Sequence, residues 1–139
     1  MTVPPRSNRR VHVLELGRYL ERHGTQSLLL SLELTSGGFS ASDNLVHLAR
    51  PKRIELEEPG IAWRVEQAGA ARFQVSLRTL RPALWSWLEL KDTEARYSDN
   101  FIHLLPGRRV LITVEPSRRL SLAEFRKRMF VRSLRDTYD

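Results

Sequence analysis

Apolar residues recur at every second position in several short stretches of this 139-residue chain. From Leu28 to Leu34 every second residue is leucine, whereas Ser31 and Glu33 fall on the opposite side. Because successive side chains of a β-strand point to opposite faces, this pattern predicts a strand with one buried and one hydrated face. The same alternation predicts further half-buried strands in residues 61–66, 73–78 and 110–115.

Turn-forming residues separate these stretches at short intervals. Ser36-Gly37-Gly38 and Pro106-Gly107 are examples, since glycine accepts positive φ angles and proline interrupts a strand. Weaker strand patterns lie at residues 11–16, 44–48, 84–90, 100–105 and 129–134. About nine short strands with no helical crossovers predict an all-β fold, an antiparallel β-sandwich.

The segment that begins at Ser121 breaks the alternation. Ser121 and Glu124 have the Ser-x-x-Glu spacing of a capping box, in which each side chain bonds a free backbone N–H of the first helical turn. This spacing predicts one short helix near the C-terminus. The first residues are rich in proline, arginine and polar groups, which predicts a linker or disordered end at residues 1–10 and one domain over residues 11–139.

The composition narrows the classes of function. The chain has no cysteine, so it has no disulfide framework and no thiolate metal site. The longest apolar run, Leu28-Leu29-Leu30, is far shorter than the roughly 20 residues that cross a bilayer. The N-terminus also lacks the apolar block of a secretory signal. We expect a soluble chain with no membrane partner, and the compartment is left open.

The formal net charge of +7 makes nucleic acid a candidate partner, because clustered cations attract phosphates. Only three of the 23 basic residues are lysine, and a GC-rich coding bias explains such a preference for arginine as well as a partner does. A nucleic-acid-binding domain is therefore the less favoured alternative. Its cations would be Arg118, Arg119, Arg126, Lys127 and Arg128.

No motif in the sequence predicts catalysis or a cofactor. A catalytic barrel of roughly 250 residues does not fit in the chain. The sequence contains neither a Gly-x-Ser-x-Gly motif nor a phosphate-binding glycine loop. Its acidic residues fall mostly on polar faces or in turns, and no motif pairs two of them as in glycosidases. We therefore predict no catalytic residue and no cofactor site.

One heptad of residues occurs twice. Ser-Asp-Asn is followed by two apolar residues and His-Leu in residues 42–48 and again in residues 98–104. This repeat makes four residues candidate metal ligands: Asp43, His47, Asp99 and His103. Residues four apart on a strand lie roughly 13 Å apart, however, so neither pair chelates one ion. We therefore interpret the aspartates as turn-forming residues and the histidines as residues of strands, and we predict no metal site.

The tryptophans are the candidate contact residues. Trp85 and Trp87 alternate with leucines, so one face of their strand belongs to the core and the other face is covered by a neighbouring element or domain. The alternative is a carbohydrate-binding module that presents Trp85, Trp87 or Trp63 as a platform for sugar rings. Packing between domains is the favoured interpretation.

The C-terminal part resembles a known family. Residues 83–90, the segment Arg96-Tyr97-Ser98-Asp99-Asn100-Phe101 and the run Leu104-Leu105-Pro106-Gly107 closely resemble the C-terminal immunoglobulin-like domain of β-mannosidases of glycoside hydrolase family 2. The closing residues 122–125 and 131–138 look like the end of that domain, and residues 42–52 are similar to one of its strands and the following turn. The resemblance covers residues 26–138.

The resemblance implies an immunoglobulin-like sandwich that is a noncatalytic accessory domain of an enzyme releasing terminal β-D-mannose. In that family the catalytic glutamates lie in a separate TIM barrel, so no catalytic residue is carried over. The implied partners are the barrel and other domains of the parent chain, with a mannose-containing oligosaccharide as a further possibility. The matching motif residues are structural in this interpretation: Ser98, Asp99, Asn100, Pro106 and Gly107.

Overall fold

The computed structural model describes residues 5–8, 10 and 12–138. The chain forms two compact units, Met1–Ile54 and Glu55–Asp139. The predicted linker at residues 1–10 lies partly outside the described residues. Residues 5–8 and 10 are exposed and contain no helix or strand.

The first unit contains a helix and a hairpin. Helix α1 spans Gly17–His23, strand β1 spans Leu29–Ser36, strand β2 spans Phe39–His47, and a 3₁₀ turn follows at Pro51–Arg53. Gly37 and Gly38 form a two-residue loop with φ angles of 59° and 83°, which matches the twist of a tight hairpin.

Two expectations for this unit are wrong. Of the strand predicted at residues 11–16, residue 11 lies outside the description and residues 12–16 form no strand; helix α1 follows instead. The leucine face of β1 is also less buried than predicted, since Leu32 is 41% and Leu34 is 64% exposed. The described part of β1 and β2 forms a two-stranded sheet. Alternation marks one face of a strand as apolar, but only a second layer buries that face.

The described residues of the second unit form seven strands and one α-helix. Their bounds are β3 Ala62–Gly69, β4 Arg72–Arg78, β5 Ala83–Leu90, β6 Ala95–Tyr97, β7 Ile102–Leu104, β8 Val110–Pro116, α2 Leu122–Arg128 and β9 Met129–Arg132, followed by a 3₁₀ turn at Leu134–Thr137. One sheet has the order β3-β4-β8-β6 and the other has the order β7-β5-β9. All pairs are antiparallel. The predicted antiparallel sandwich with a short helix near the C-terminus is confirmed.

One core lies between the two sheets. It combines fully buried side chains of β4 and β8, such as Phe73 and Ile112, with Leu88 of β5 and Phe125 of α2. The rings of Phe73 and Phe125 stack with centroids 4.2 Å apart. Helix α2 therefore closes one side of the sandwich by inserting an aromatic side chain into its core.

The predicted capping box fixes the start of α2. The Ser121 hydroxyl accepts from the backbone N–H of Glu124, and the Glu124 carboxylate accepts from the backbone N–H of Ser121 at 2.8 Å. The Ser121 backbone N–H, followed by its hydroxyl, lowers the pKa of Glu124, because both donate to the charged form. Glu124 also lies in the first turn, where a negative charge is favourable.

Candidate interdomain surface

The register of β5 separates its leucines from its tryptophans. Leu88 pairs with Val131 and Leu90 pairs with Met129 on the core side. Trp87 pairs with Arg132 on the other side, which is the outer side of the sheet. Trp85 and Trp87 are both half-buried. The predicted division of this strand into a core face and an outer face is confirmed for residues 87–90. Leu84 and Trp85 lie where the β5–β7 register is irregular.

Further aromatic residues surround these tryptophans. The Trp87 ring stacks on the Phe101 ring with centroids 5.9 Å apart and an interplanar angle of 18°. The Trp85 ring meets the His103 ring edge to face at 5.2 Å. Phe130 lies on the same side of the sheet, since it pairs with Glu89. We call this set the aromatic face: Trp85, Trp87, Phe101, His103 and Phe130.

Two members of the aromatic face have a strained backbone. Trp85 has φ 44° and Phe101 has φ 57°, a region that costs bulky L-residues of order 1–3 kcal/mol. Trp85 lies in the irregularity of the β5–β7 pairing between Ala83 and Ser86, and such bulges redirect side chains. The Trp85 backbone N–H donates to Nδ1 of His103 at 3.3 Å. Strand β7 therefore supports the unusual conformation of Trp85.

The Ser-Asp-Asn motif at residues 98–100 holds the loop before β7. Asn100 accepts from the Leu88 backbone N–H at 2.8 Å and donates to the Leu88 carbonyl at 3.1 Å. Ser98 exchanges two bonds with Thr113, both at 2.9 Å, through its hydroxyl and its backbone N–H. The motif therefore bonds one sheet through Ser98 and the other through Asn100, and it places Phe101 beside Trp87.

Trp63 lies elsewhere in the sandwich. It is in β3, on the side of the sheet that holds Val65, and it packs against the core. The structure thus brings Trp85 and Trp87 together on one face and separates Trp63 from them. The sequence patterns do not identify Phe101, Phe130 or His103 as neighbours of these tryptophans. Alternation in residues 129–134 is a signal for Phe130, but no local signal gives Phe101.

The histidines of the repeated heptad have different local roles. Nδ1 of His47 bonds the carbonyl of Ala49 at 2.8 Å, whereas Nδ1 of His103 accepts from the backbone N–H of Trp85. Within the described part of the chain, no group of three or more histidine and acidic side chains is arranged to hold a metal ion.

Several cations proposed for nucleic-acid binding have partners inside the domain. Arg118 donates to Thr93, Arg126 donates to the Val65 carbonyl, and Arg128 donates to the Lys91 carbonyl at 3.2 Å. These arginines attach α2 and its flanking residues to strand β3 and to the turn between β5 and β6.

Among the described residues, no helix is both long and apolar enough to span a bilayer.

The two sheets, their shared core and the closing helix define this part of the chain as an Ig-fold domain. A sequence model of the Ig_mannosidase family, described as an Ig-fold domain, matches residues 56–137. The chain belongs to this family. The predicted resemblance to the immunoglobulin-like domain of β-mannosidases is thereby confirmed.

A solved structure shows the same fold. The crystal structure of β-D-mannosidase from Dictyoglomus thermophilum superposes with a TM-score of 0.64 at 18% sequence identity. The match covers 76% of this chain and 13% of that chain. At this identity the likeness concerns the fold alone. No curated protein matches the sequence.

Proposed function

We propose that this chain is a noncatalytic accessory domain of a glycoside hydrolase family 2 β-mannosidase that releases terminal β-D-mannose, and that its aromatic face packs against another domain of that enzyme. The aromatic face is the observation that carries the proposal. Phe101 is 62% and Phe130 is 43% exposed, on either side of two half-buried tryptophans. Clustered exposed aromatic residues mark interaction surfaces.

The geometry favours a protein partner over a sugar. A platform for sugar rings needs an open aromatic ring face, but one face of Trp87 is occupied by Phe101 and Trp85 is engaged by His103. The ring contacts of Trp85 with His103 and of Trp87 with Phe101 orient these side chains before a partner binds. Preformed, rigid aromatic anchors reduce the entropy cost of association between protein surfaces.

The parent enzyme provides the test. In the parent polypeptide, Trp87→Ala combined with Phe101→Ala is expected to lower thermal stability and hydrolysis of 4-nitrophenyl β-D-mannoside, since the domain loses its anchors. The matched control is Leu80→Ala, which removes an exposed apolar side chain elsewhere in this unit. It is expected to leave both properties within error.

The second experiment uses the chain of 139 residues by itself. We expect it to hydrolyse no aryl β-mannoside and to show no saturable change in tryptophan fluorescence with mannooligosaccharides. Saturable binding that is lost in a Trp85→Ala, Trp87→Ala variant would establish the carbohydrate-binding module instead. A native gene product of only 16.1 kDa would exclude an attached catalytic domain.

A further inference from the structure

The outer side of the other sheet carries a different surface. Strands β3, β4 and β8 form a groove of about 500 Å³ there. Its lining includes three exposed arginines together with an amide, a hydroxyl and an apolar side chain. We call this set the arginine face: Arg64, Arg78, Arg109, Gln74, Ser76 and Leu111.

The register brings the cations of this face together. Arg64 pairs with Ser76, and Arg78 is two residues further along β4, so the two arginines are diagonal neighbours about 7–8 Å apart at the backbone. Arg109 precedes Val110, which pairs with Leu77. Arg109 is therefore opposite Arg78, where β4 ends and β8 begins. Three positive charges meet at one end of the groove.

These arginines lack partners that other arginines of the domain possess. Arg72 binds Glu115 at 2.8 Å and Arg81 binds Glu57 at 3.1 Å. Within the described residues, the guanidinium groups of Arg64, Arg78 and Arg109 make no hydrogen bond or ion pair. Glu66, the acidic residue lining the groove, is on the far side of Arg64 from Arg78.

This arrangement costs stability unless an anion neutralises it. Like charges opposite each other on neighbouring strands repel. Guanidinium groups form strong, often bidentate bonds with carboxylates. Gln74 and Ser76 add neutral hydrogen-bonding groups in the middle of the groove, and Leu111, which is 44% exposed, adds an apolar contact.

We infer that the arginine face docks an acidic polypeptide segment, with carboxylates on the three guanidinium groups and an apolar side chain on Leu111. A small ligand fits less well, because small-ligand sites enclose most of the ligand surface, whereas these arginines lie exposed on the outer side of the sheet. Single-stranded nucleic acid requires stacking platforms, and Trp63, the aromatic residue that lines the groove, packs against the core. The inference does not depend on the proposed function, since it concerns the opposite sheet.

The test uses the chain of 139 residues and a synthetic Glu-Glu-Leu-Glu-Glu peptide, observed by NMR at low ionic strength. We expect saturable shifts of the Gln74, Ser76 and Leu111 amides and no such shifts with Gln-Gln-Leu-Gln-Gln. Replacing Arg64, Arg78 and Arg109 by glutamine is expected to weaken binding about tenfold or more, since charge-assisted bonds are lost.

A matched variant controls for net charge. Lys52→Gln, Arg119→Gln and Lys127→Gln remove the same total charge from exposed positions that do not line the groove, and we expect less than about a twofold change, because these side chains form no charge-assisted bond with a peptide bound in the groove. Melting curves verify that both variants fold. Equal weakening by the two triple variants, shifts at other amides, or no binding by the unaltered chain would each overturn the inference. Tighter binding of a ten-nucleotide oligothymidylate at the same amides would replace the acidic peptide with nucleic acid.

Discussion

Residues 42–48 and 98–104 carry nearly the same side chains in two different structures. The first copy lies mostly within β2, where Asn44 pairs with Leu32 in a regular ladder. In the second copy, residues 98–101 form a loop that bonds both sheets, and residues 102–104 form β7. Asn100 bonds both backbone groups of Leu88. The difference shows that a Ser-Asp-Asn sequence does not by itself specify its backbone conformation. The strands that lie within reach of its side chains decide the structure.

The asparagines give the largest expected contrast. Asn100→Ala leaves the N–H and the carbonyl of Leu88 without their partners, so we expect the free energy of unfolding to fall by about 2–3 kcal/mol. Asn44→Ala removes an exposed side chain from β2, and a change below about 0.5 kcal/mol is expected. Urea unfolding followed by circular dichroism measures both. Tryptophan fluorescence reports Glu55–Asp139 alone, since all three tryptophans lie there. Equal losses would contradict the comparison.

The histidines give a smaller contrast. His103→Ala removes the acceptor for the Trp85 N–H and the ring contact with Trp85, and we expect a loss of about 1–2 kcal/mol. His47→Ala removes a local bond to Ala49, and a loss of about 0.5–1 kcal/mol is expected. Thermal unfolding of the two variants checks the order. A larger effect at His47 would show that the first copy has the tighter structural role.

The serines sharpen the comparison further. Ser98→Ala removes the acceptor for the Thr113 N–H, but water replaces it at this exposed site, so we expect a loss of only about 0.5–1 kcal/mol. Ser42→Ala is expected to stay within about 0.5 kcal/mol of the unaltered chain. Hydrogen exchange at the Thr113 amide supplies a local readout. It should become faster in Ser98→Ala and remain unchanged in Ser42→Ala.

The capping box of α2 depends only on residues that are neighbours in sequence, unlike the repeated Ser-Asp-Asn motif. We expect the smallest change in stability when it is altered. The pKa of Glu124 is lowered in the folded chain, so its stabilisation is present above the ordinary value of 4.5 and is lost as the pH falls through the folded pKa. The melting temperature should therefore exceed that of Glu124→Gln at neutral pH, and the difference should shrink in acid. A difference independent of pH would show that the charge of Glu124 contributes nothing.

Much of the fold was predictable from local patterns. Alternation gave β3, β4 and β8, and the capping spacing gave α2, because both patterns depend on residues a few positions apart. Helix α1 and the three-residue strand β6 were missed. Helix α1 has no side-chain cap, and β6 is too short for alternation to identify. The prediction that residues 11–139 form one domain after a linker stays a prediction.

The candidate surface was predictable only in part. Alternation placed Trp85 and Trp87 on one face of β5 and the leucines on the other, but it did not identify which face is the core. Their pairing with Phe101 and His103 follows from the β5–β7 register and its irregularity, which no local pattern encodes. The roles of Trp85 and Trp87 in packing or sugar binding remain predictions for the experiments above.

The sequence by itself determined that the strongly alternating stretches extend, where the chain turns between them, and how α2 begins, since steric preferences and short-range hydrogen bonds act within a few residues. Tertiary structure alone decided that the leucines of β4 and β5 are buried while Leu34 of β1 is exposed. It also decided that one Ser-Asp-Asn segment bonds two sheets and the other pairs within one. The physical reason is that burial and hydrogen bonding at these sites depend on a distant partner, and alternation specifies only which face of a strand could receive one.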